Sequence, residues 1–186
     1  MRIIAGEFRG RRLLPPKTDA TRPITDRVKQ SLFDILTPYI SGATVYDCFA
    51  GTGSLGLESI SRGAERAVLF EMDRSAASIL RRNVDALRVA DRCTIIPGDL
   101  FTYFWSRPSE SAPPASLIFL DPPYQMVRTR QDDLRKLAQK WAGRHTTPEG
   151  IIVFRHATED ALDLPPLQRY DERTYGGMTI ELLKKP

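Results

Sequence analysis

Short apolar segments alternate with amphipathic segments between residues 44 and 157. The apolar segments are TVYDCFA, RAVLFEMD, CTIIPGD, SLIFLD and GIIVFRH. Several of the intervening segments, such as SAASILRRNVDALRV, place apolar residues at helical spacing. Strands that are nearly continuous in apolar residues and are joined by helices form a mostly parallel sheet with helices on both faces. The alternation therefore predicts an α/β fold with a doubly wound sheet.

The two ends of the chain depart from this alternation. Near the C-terminus, LQRYDERTY and MTIELL meet at Gly176-Gly177, and we expect an antiparallel hairpin at the edge of the sheet. At the N-terminus, MRIIAGEFRGRRLLPP has the pattern of a short β-hairpin, and a helical pattern then runs from Val28 to Pro38. A chain of 186 residues suits one ordinary domain. We predict a small extension over residues 1–38 and a main domain over residues 39–186.

Positive charge is concentrated in the predicted extension. Residues 1–30 contain eight Lys or Arg and three acidic residues, a balance of +5, whereas the rest of the chain carries −1. Such a basic segment is typical of a nucleic-acid contact region. A solvated basic tail without a partner explains the charge equally well. Charge alone leaves both interpretations open.

Some classes of protein are disfavoured by what the sequence lacks. No apolar run approaches the roughly 20 residues of a membrane span, and the N-terminus has no apolar signal-peptide core. The two cysteines, Cys48 and Cys93, have no CxxC motif or histidine cluster beside them, so we expect buried free thiols rather than a disulfide or a metal site. We expect a soluble cytoplasmic protein that binds no metal and no membrane.

A glycine-rich segment, DCFAGTGSLG, follows the first predicted strand. Glycines at 51, 53 and 56 form a GxGxxG pattern before a predicted helix, where the backbone can turn tightly and approach a ligand closely. Glu71 follows Gly51 by twenty residues, which is the spacing of a carboxylate that accepts hydrogen bonds from a ribose. The pattern predicts a cofactor loop, although a plain tight turn is the alternative. A dinucleotide and S-adenosylmethionine fit this spacing equally well.

Two further carboxylates favour S-adenosylmethionine over a nicotinamide dinucleotide. Asp47 precedes the first glycine by four residues, where it suits the cationic amino group of a methionine moiety better than a pyrophosphate. Asp99 ends the third predicted strand and could accept from an adenine amino group, or it could cap the next helix. For Asp99, the sequence leaves these two roles open.

The fourth predicted strand ends in LDPPY. A residue before proline is held extended, so we expect Asp121 to continue the strand, and each proline removes a backbone donor. Acceptors remain, namely the Asp121 carboxylate and the Pro122 carbonyl, with the flat ring of Tyr124 beside them. This combination suits a planar substrate that carries an exocyclic amine, whose two hydrogens the acceptors would hold. Stacking on the ring would contribute about 1–3 kcal/mol per base.

Three motifs in order, DCFAGTGSLGLES, FEMDR and LDPPY, resemble those of the class I S-adenosylmethionine-dependent methyltransferases that act on amines. The N-terminal RIIAGEFRGRRL and RPITDRVKQSLFDIL resemble the openings of the bacterial RsmD family. The resemblance implies a Rossmann-like methyltransferase sheet and S-adenosyl-L-methionine as cofactor. It also implies methyl transfer to the exocyclic N2 amine of a guanine in 16S ribosomal RNA, within the small ribosomal subunit or its assembly intermediate.

The resemblance also assigns roles to individual residues. The implied catalytic residues are Asp121, Pro122, Pro123 and Tyr124. The implied cofactor-binding residues are Asp47, Ala50, Gly51, Thr52, Gly53, Glu71, Met72, Asp99, Leu100 and Asp121. The implied RNA-binding residues are Arg9, Arg11, Arg12 and Arg22, with Thr25 and Asp26 near the cofactor or target. Ile24 stands where the family usually has a threonine, so direct chemistry at position 24 is not expected.

Other functions share parts of this pattern. An enzyme that methylates amines in DNA bases or in a protein glutamine would carry the same LDPPY signature. An RNA-binding protein without catalysis could retain the fold, but it would not need both the glycine loop and LDPPY. A nicotinamide oxidoreductase is disfavoured by Asp47. We expect a monomer that acts as a ribosomal RNA (guanine-N2) methyltransferase.

Overall fold

The protein is described by a computed structural model that covers residues 1–16, 24–106 and 113–186. Its strands form one seven-stranded sheet in the order β3-β2-β1-β4-β5-β7-β6. The strands are β1 Thr44–Asp47, β2 Arg66–Glu71, β3 Cys93–Pro97, β4 Ala115–Leu120, β5 Thr146–Ala157, β6 Gln168–Tyr175 and β7 Met178–Lys184. The first five strands pair in parallel, and β7 pairs antiparallel with both β5 and β6. The predicted α/β sheet with an antiparallel edge hairpin is confirmed.

The described residues form six α-helices, one before the first strand and five between strands. They are α1 Asp26–Leu36, α2 Ser54–Ser61, α3 Arg74–Leu87, α4 Leu100–Ser106, α5 Tyr124–Thr129 and α6 Gln131–Lys140. Short helical turns also occur at Thr37–Tyr39, Trp141–His145 and Thr158–Asp160. The sequence pattern did not predict α5. It follows the two prolines directly and is only 6 residues long, too short to establish a helical period.

The sheet has a separate core on each face because successive strand residues point to opposite sides. In β4, Leu117 and Phe119 pack with the hairpin, α1, α2 and α3, whereas Ile118 and Leu120 pack with α4, α5 and α6. All four of these side chains are fully buried. This two-sided burial explains why the strands are continuous in apolar residues.

The N-terminal hairpin lies against α2. Its two strands are joined by the bridge between Arg2 and Arg12, and the Ile3 amide donates to the Arg11 carbonyl at 2.9 Å. Gly6 has a φ of +81°, and a Cβ there would lie 1.8 Å from the Ser61 carbonyl oxygen, so only glycine fits. Ile3 belongs to the same core as β1 and α2. The boundary between an N-terminal extension and a main domain at residue 38 stays a prediction.

Two absences apply to the described parts of the chain. None of the helices there is both long enough and apolar enough to cross a membrane. The same residues contain no group of three or more His, Cys, Asp or Glu placed to hold a metal ion.

Candidate active site

Four carboxylates follow the parallel strands at one edge of the sheet. Asp47 ends β1 and Glu71 ends β2. Asp99 follows β3 after a single glycine, and Asp121 directly follows β4. The strand order reverses between β1 and β4, because β2 continues on one side and β5 on the other. Open α/β sheets bind their ligands beyond the carboxyl ends of the strands at such a reversal. The geometry therefore makes this edge the candidate active site.

Glu71 fastens the glycine loop to β2. Its Oε2 accepts from the Gly51 amide at 2.7 Å, and its Oε1 accepts from the Asp73 amide at 2.7 Å. Gly51 and Gly53 have φ values of +54° and +92°, which residues with a side chain rarely adopt. Burial raises the pKa of Glu71. Each carboxylate oxygen keeps a second lone pair, so the side chain can still accept from a ribose hydroxyl.

Asp47 lies beneath the glycine loop rather than in the open. It is 1% exposed, and its Oδ2 accepts from the Gly56 amide at 2.9 Å. A Cβ at Gly56 would lie 2.3 Å from Leu69 Cδ2 and 3.2 Å from Asp47 Oδ2, so the helix start can pack this closely only with glycine. Burial, with a smaller contribution from the neighbouring Asp121 carboxylate, raises the pKa of Asp47 to about 7. The role of Asp47 toward a methionine ammonium stays a prediction.

Asp99 is a helix-capping residue in this structure. Its Oδ1 accepts from the Phe101 amide at 2.8 Å at the start of α4. Its other oxygen lies 3.6 Å from an Arg130 guanidinium nitrogen, and that guanidinium stacks 4.0 Å above the Phe101 ring. The capping role, left open by the sequence, is therefore present. Contact with an adenine stays a prediction.

The other predicted cofactor residues differ in exposure. Ala50 and Thr52 of the loop and Leu100 of α4 are buried, and Thr52 Oγ1 lies 3.7 Å from Met1 Sδ. Met72 directly follows Glu71 and is 63% exposed, which is unusual for a large apolar side chain. The exposed thioether therefore offers an apolar surface directly beside Glu71, and its role in cofactor binding stays a prediction.

Asp121 is paired with Arg155, which the sequence pattern did not identify. Leu120 pairs with Phe154 in the parallel ladder between β4 and β5, so the next residues of the two strands lie side by side. Arg155 Nε donates to Asp121 Oδ1 at 2.5 Å, and both side chains are 13% exposed. Burial raises the pKa of Asp121, and the Arg155 guanidinium opposes that rise. The pair leaves Oδ2 of Asp121 available to a ligand.

The two prolines after Asp121 have different backbone environments. The Pro123 carbonyl accepts from the Met126 amide at 2.8 Å, and Pro123 caps α5. The Pro122 carbonyl has no hydrogen-bond donor within the described part of the chain. Tyr124 is half-buried at the start of α5. The Asp121 carboxylate and the Pro122 carbonyl both lie at the end of β4, and their joint role as an acceptor pair stays a prediction.

The predicted RNA-binding arginines are exposed where the structure describes them. Arg9, Arg11 and Arg12 lie on the hairpin, and Arg22 lies outside the described residues. Thr25 caps α1 by accepting from Val28, and Asp26 pairs with Arg2 at 2.8 Å. Ile24 is half-buried and packs against the core, which explains an apolar residue there.

Buried polar groups join the hairpin to the glycine loop, and the sequence pattern did not predict them. Glu58 of α2 is fully buried and accepts from the amides of Ile4 and Ala5 at 2.8 and 3.0 Å. Lys29 of α1 lies 3.3 Å from Glu58 and donates to the Arg2 carbonyl at 2.7 Å. On α3, Asn83 Nδ2 donates to the carbonyl of Thr52 at 2.8 Å and to that of Leu14 at 3.2 Å.

The sheet order, the glycine loop and the acidic strand ends together define a class I, Rossmann-like methyltransferase fold. Residues 1–184 match the protein family described as "Conserved hypothetical protein 95". The chain belongs to this family, which is the RsmD family expected from the sequence motifs.

Named relatives and solved structures agree with this placement. The Escherichia coli (strain K12) protein named ribosomal RNA small subunit methyltransferase D is 39% identical over 125 residues, which cover 67% of this chain and 61% of that relative. The match thus spans about three fifths of the relative's length. The solved structure of the Escherichia coli protein yhhF has a TM-score of 0.84 at 30% identity and covers 100% of this chain and 97% of that chain.

A more distant structure shares the fold. The RNA methyltransferase from Salinibacter ruber, solved in complex with S-adenosyl-L-homocysteine, has a TM-score of 0.63 at 18% identity. The match covers 89% of this chain and 94% of that chain. At this identity the likeness concerns the fold alone.

Proposed function

We propose that this protein transfers a methyl group from S-adenosyl-L-methionine to the exocyclic N2 amine of a guanine in 16S ribosomal RNA. The observation that carries the reaction is the acceptor pair at the end of β4, next to the glycine loop. Asp121 and Pro122 offer a carboxylate and a free carbonyl at the point where the strand order reverses. Asp121 and Pro122 are consecutive residues, and their two acceptors match in number the two hydrogens of an exocyclic amine.

The role of Asp121 in this reaction is positional and electrostatic. The lone pair of an aromatic amine is delocalised into its ring, so the amine is a weak nucleophile. Acceptance of its two hydrogens by Asp121 and Pro122 favours a pyramidal nitrogen and directs the lone pair toward the methyl carbon. Arg155 opposes the rise that burial causes in the pKa of Asp121, which favours the ionised carboxylate, and it fixes the orientation of that carboxylate through Oδ1. Tyr124 supplies a ring beside the acceptors, on which a base can stack.

The donor set at the strand ends fits S-adenosyl-L-methionine, which would supply the methyl group. Glu71 keeps acceptor capacity for the ribose hydroxyls, and a Cβ at Gly51 would meet nothing within 4 Å, so the loop borders open space. Asp47 would provide negative charge near the ammonium, and Met72 an apolar surface near the adenine. The Salinibacter ruber RNA methyltransferase, which shares this fold, was solved in complex with S-adenosyl-L-homocysteine.

The substrate class rests on the basic hairpin and on the relatives. Arg9, Arg11 and Arg12 are exposed on the hairpin, which packs on the helix after the glycine loop. The Escherichia coli relative is named as a small-subunit ribosomal RNA methyltransferase. We propose the small subunit or its assembly intermediate as substrate and the cytoplasm as the compartment. A base within RNA must be turned out of its stack before it reaches Asp121.

Replacement of Asp121 tests the proposed reaction. We expect Asp121→Ala to lower the rate of methyl transfer by about 10²-fold or more, because one of the two acceptors is lost. Cofactor affinity, measured by calorimetry, should stay within a few-fold. Asp121→Asn should keep part of the activity, since its amide oxygen still accepts a hydrogen bond.

The Asn variant is the matched control, because it retains the size of the side chain. Equal rates for Asp121→Ala and the wild type would exclude the proposed role. Calorimetric binding of NAD rather than S-adenosylmethionine to the wild type would replace the proposed function with an oxidoreductase.

A further inference from the structure

Eight exposed arginines have no acidic partner among residues 1–16, 24–106 and 113–186. Four of them lie in the hairpin and α1: Arg9, Arg11, Arg12 and Arg27. The other four lie on α3 or directly after it: Arg74, Arg81, Arg82 and Arg88. An arginine without a carboxylate partner keeps its planar set of five donors for a group outside the chain.

The described arginines from residue 92 onward are engaged instead. Each described arginine from residue 92 to residue 173 has a bonding partner within the protein, as in the pairs Arg135–Asp132 at 3.3 Å and Arg173–Asp171 at 3.0 Å. The unpaired arginines belong to elements that pack on the other face of the sheet, in the core shared by the hairpin, α1, α2 and α3. The exposed arginines without an acidic partner, among the residues that the structure describes, therefore lie on one side of the molecule.

The hairpin and α3 form a continuous surface on that side. Asn83 of α3 is 1% exposed, and its Oδ1 accepts from the Leu14 amide at 2.8 Å. Arg12 lies two residues before Leu14 in the hairpin and is exposed. Arg82 directly precedes Asn83 and is also exposed. Within Arg74–Leu87 the single acidic residue is Asp85, so α3 carries a net positive charge.

We propose that the exposed face of α3 is a second RNA-contact surface, on which Arg81 and Arg82 bind phosphates of the RNA that the hairpin also contacts. This inference rests on the proposed function, because it assumes an RNA substrate. Phosphates fit the surface because guanidinium groups bind them in a bidentate manner. Arginines on the face of a helix contact phosphates, and such contacts fix the position of the nucleic-acid backbone without recognising its sequence.

A salt titration of RNA binding tests the proposal. The full-length variant Arg81→Gln/Arg82→Gln removes two unpaired charges, and glutamine retains helix propensity. The control Arg66→Gln/Arg135→Gln removes one exposed and one half-buried arginine that are already paired, with Glu65 at 2.7 Å and Asp132 at 3.3 Å. Both variants change the net charge equally. Affinity for 16S ribosomal RNA transcribed in vitro is measured by filter binding across a range of salt concentrations.

The expected result is a difference in the slope of log affinity against log salt. Loss of two phosphate contacts should reduce the magnitude of this negative slope by about 1–2. Between about 50 and 200 mM salt, the wild type should therefore lose about tenfold more affinity than the α3 variant. The control should keep a slope close to that of the wild type. Cofactor affinity should be the same in all three proteins.

Three outcomes would overturn the proposal. If the wild type transfers methyl groups to RNA but the α3 variant and the control have the same salt slope, the α3 surface is excluded and the proposed function stands. If the wild type neither binds nor methylates RNA, the proposed function fails together with this inference. If the α3 variant loses affinity for anionic lipid vesicles and keeps its affinity for RNA, the surface serves a membrane.

Discussion

Removal of the Glu58 carboxylate should strongly destabilise the protein. The fully buried carboxylate accepts from the Ile4 and Ala5 amides and lies 3.3 Å from Lys29, which is 1% exposed. Glu58→Leu leaves the Lys29 ammonium buried without its counter-ion, leaves two amides without their acceptor and removes the carboxylate that accepts from Arg62 Nε at 2.8 Å. Loss of one partner of a buried ion pair costs about 3–5 kcal/mol. For a chain of this size that corresponds to a fall of roughly 6–20 °C in Tm.

The Lys29–Glu58 interaction can be isolated with a double-mutant cycle. In Lys29→Met/Glu58→Leu the ammonium is absent as well. We therefore expect the double variant to lose about 0.5–3 kcal/mol less stability than the sum of the losses in the two single variants. Thermal unfolding followed by circular dichroism measures all four proteins. Hydrogen exchange at Ile4 and Ala5 should become faster in Glu58→Leu, because the hairpin amides are released. Additive losses, or a fall in Tm of less than about 2 °C in Glu58→Leu, would refute this reasoning.

Two further predictions concern pH. Arg155→Gln removes the charge that opposes the raised pKa of Asp121, so the acid limb of the kcat/KM profile should move to higher pH. Arg155→Lys keeps the charge and should move the limb part of the way back toward the wild-type position. An acid limb that does not move in Arg155→Gln would exclude an effect of Arg155 on the pKa of Asp121. Burial raises the pKa of Asp47 to about 7, so its contribution to stability is complete below about pH 4 and is lost as pH rises through 7. In urea unfolding without cofactor, Asp47→Asn should therefore lose less stability than the wild type between about pH 4 and pH 7. Equal pH dependence of the two proteins would contradict this role of Asp47.

The features of the fold that depend on local pattern were predictable. In β4, continuous apolar residues predict a strand buried on both faces, and Leu117 and Ile118 do pack into different cores. The glycine loop was also predictable, because its positive φ values at Gly51 and Gly53 require a specific residue type. Helix α5 was missed because six residues after two prolines carry no helical period.

Features that depend on tertiary contact were not predictable. The Asp121–Arg155 pair arises from the register between β4 and β5, which a single sequence does not specify. Glu58 and Lys29 have the sequence context of surface charges on amphipathic helices, and only the packing of the hairpin on α2 buries them. Asp99 could be assigned two roles because a carboxylate before a helix suits both a cap and a ligand.

The most direct measurement of the central claim is methyl transfer from labelled S-adenosyl-L-methionine to small ribosomal subunits isolated from cells that lack this protein. The modified nucleoside is then identified by mass spectrometry. The proposed function predicts label in N2-methylguanosine from 16S ribosomal RNA. Label in a different nucleoside, or no label in RNA from a protein that binds the cofactor, would contradict it.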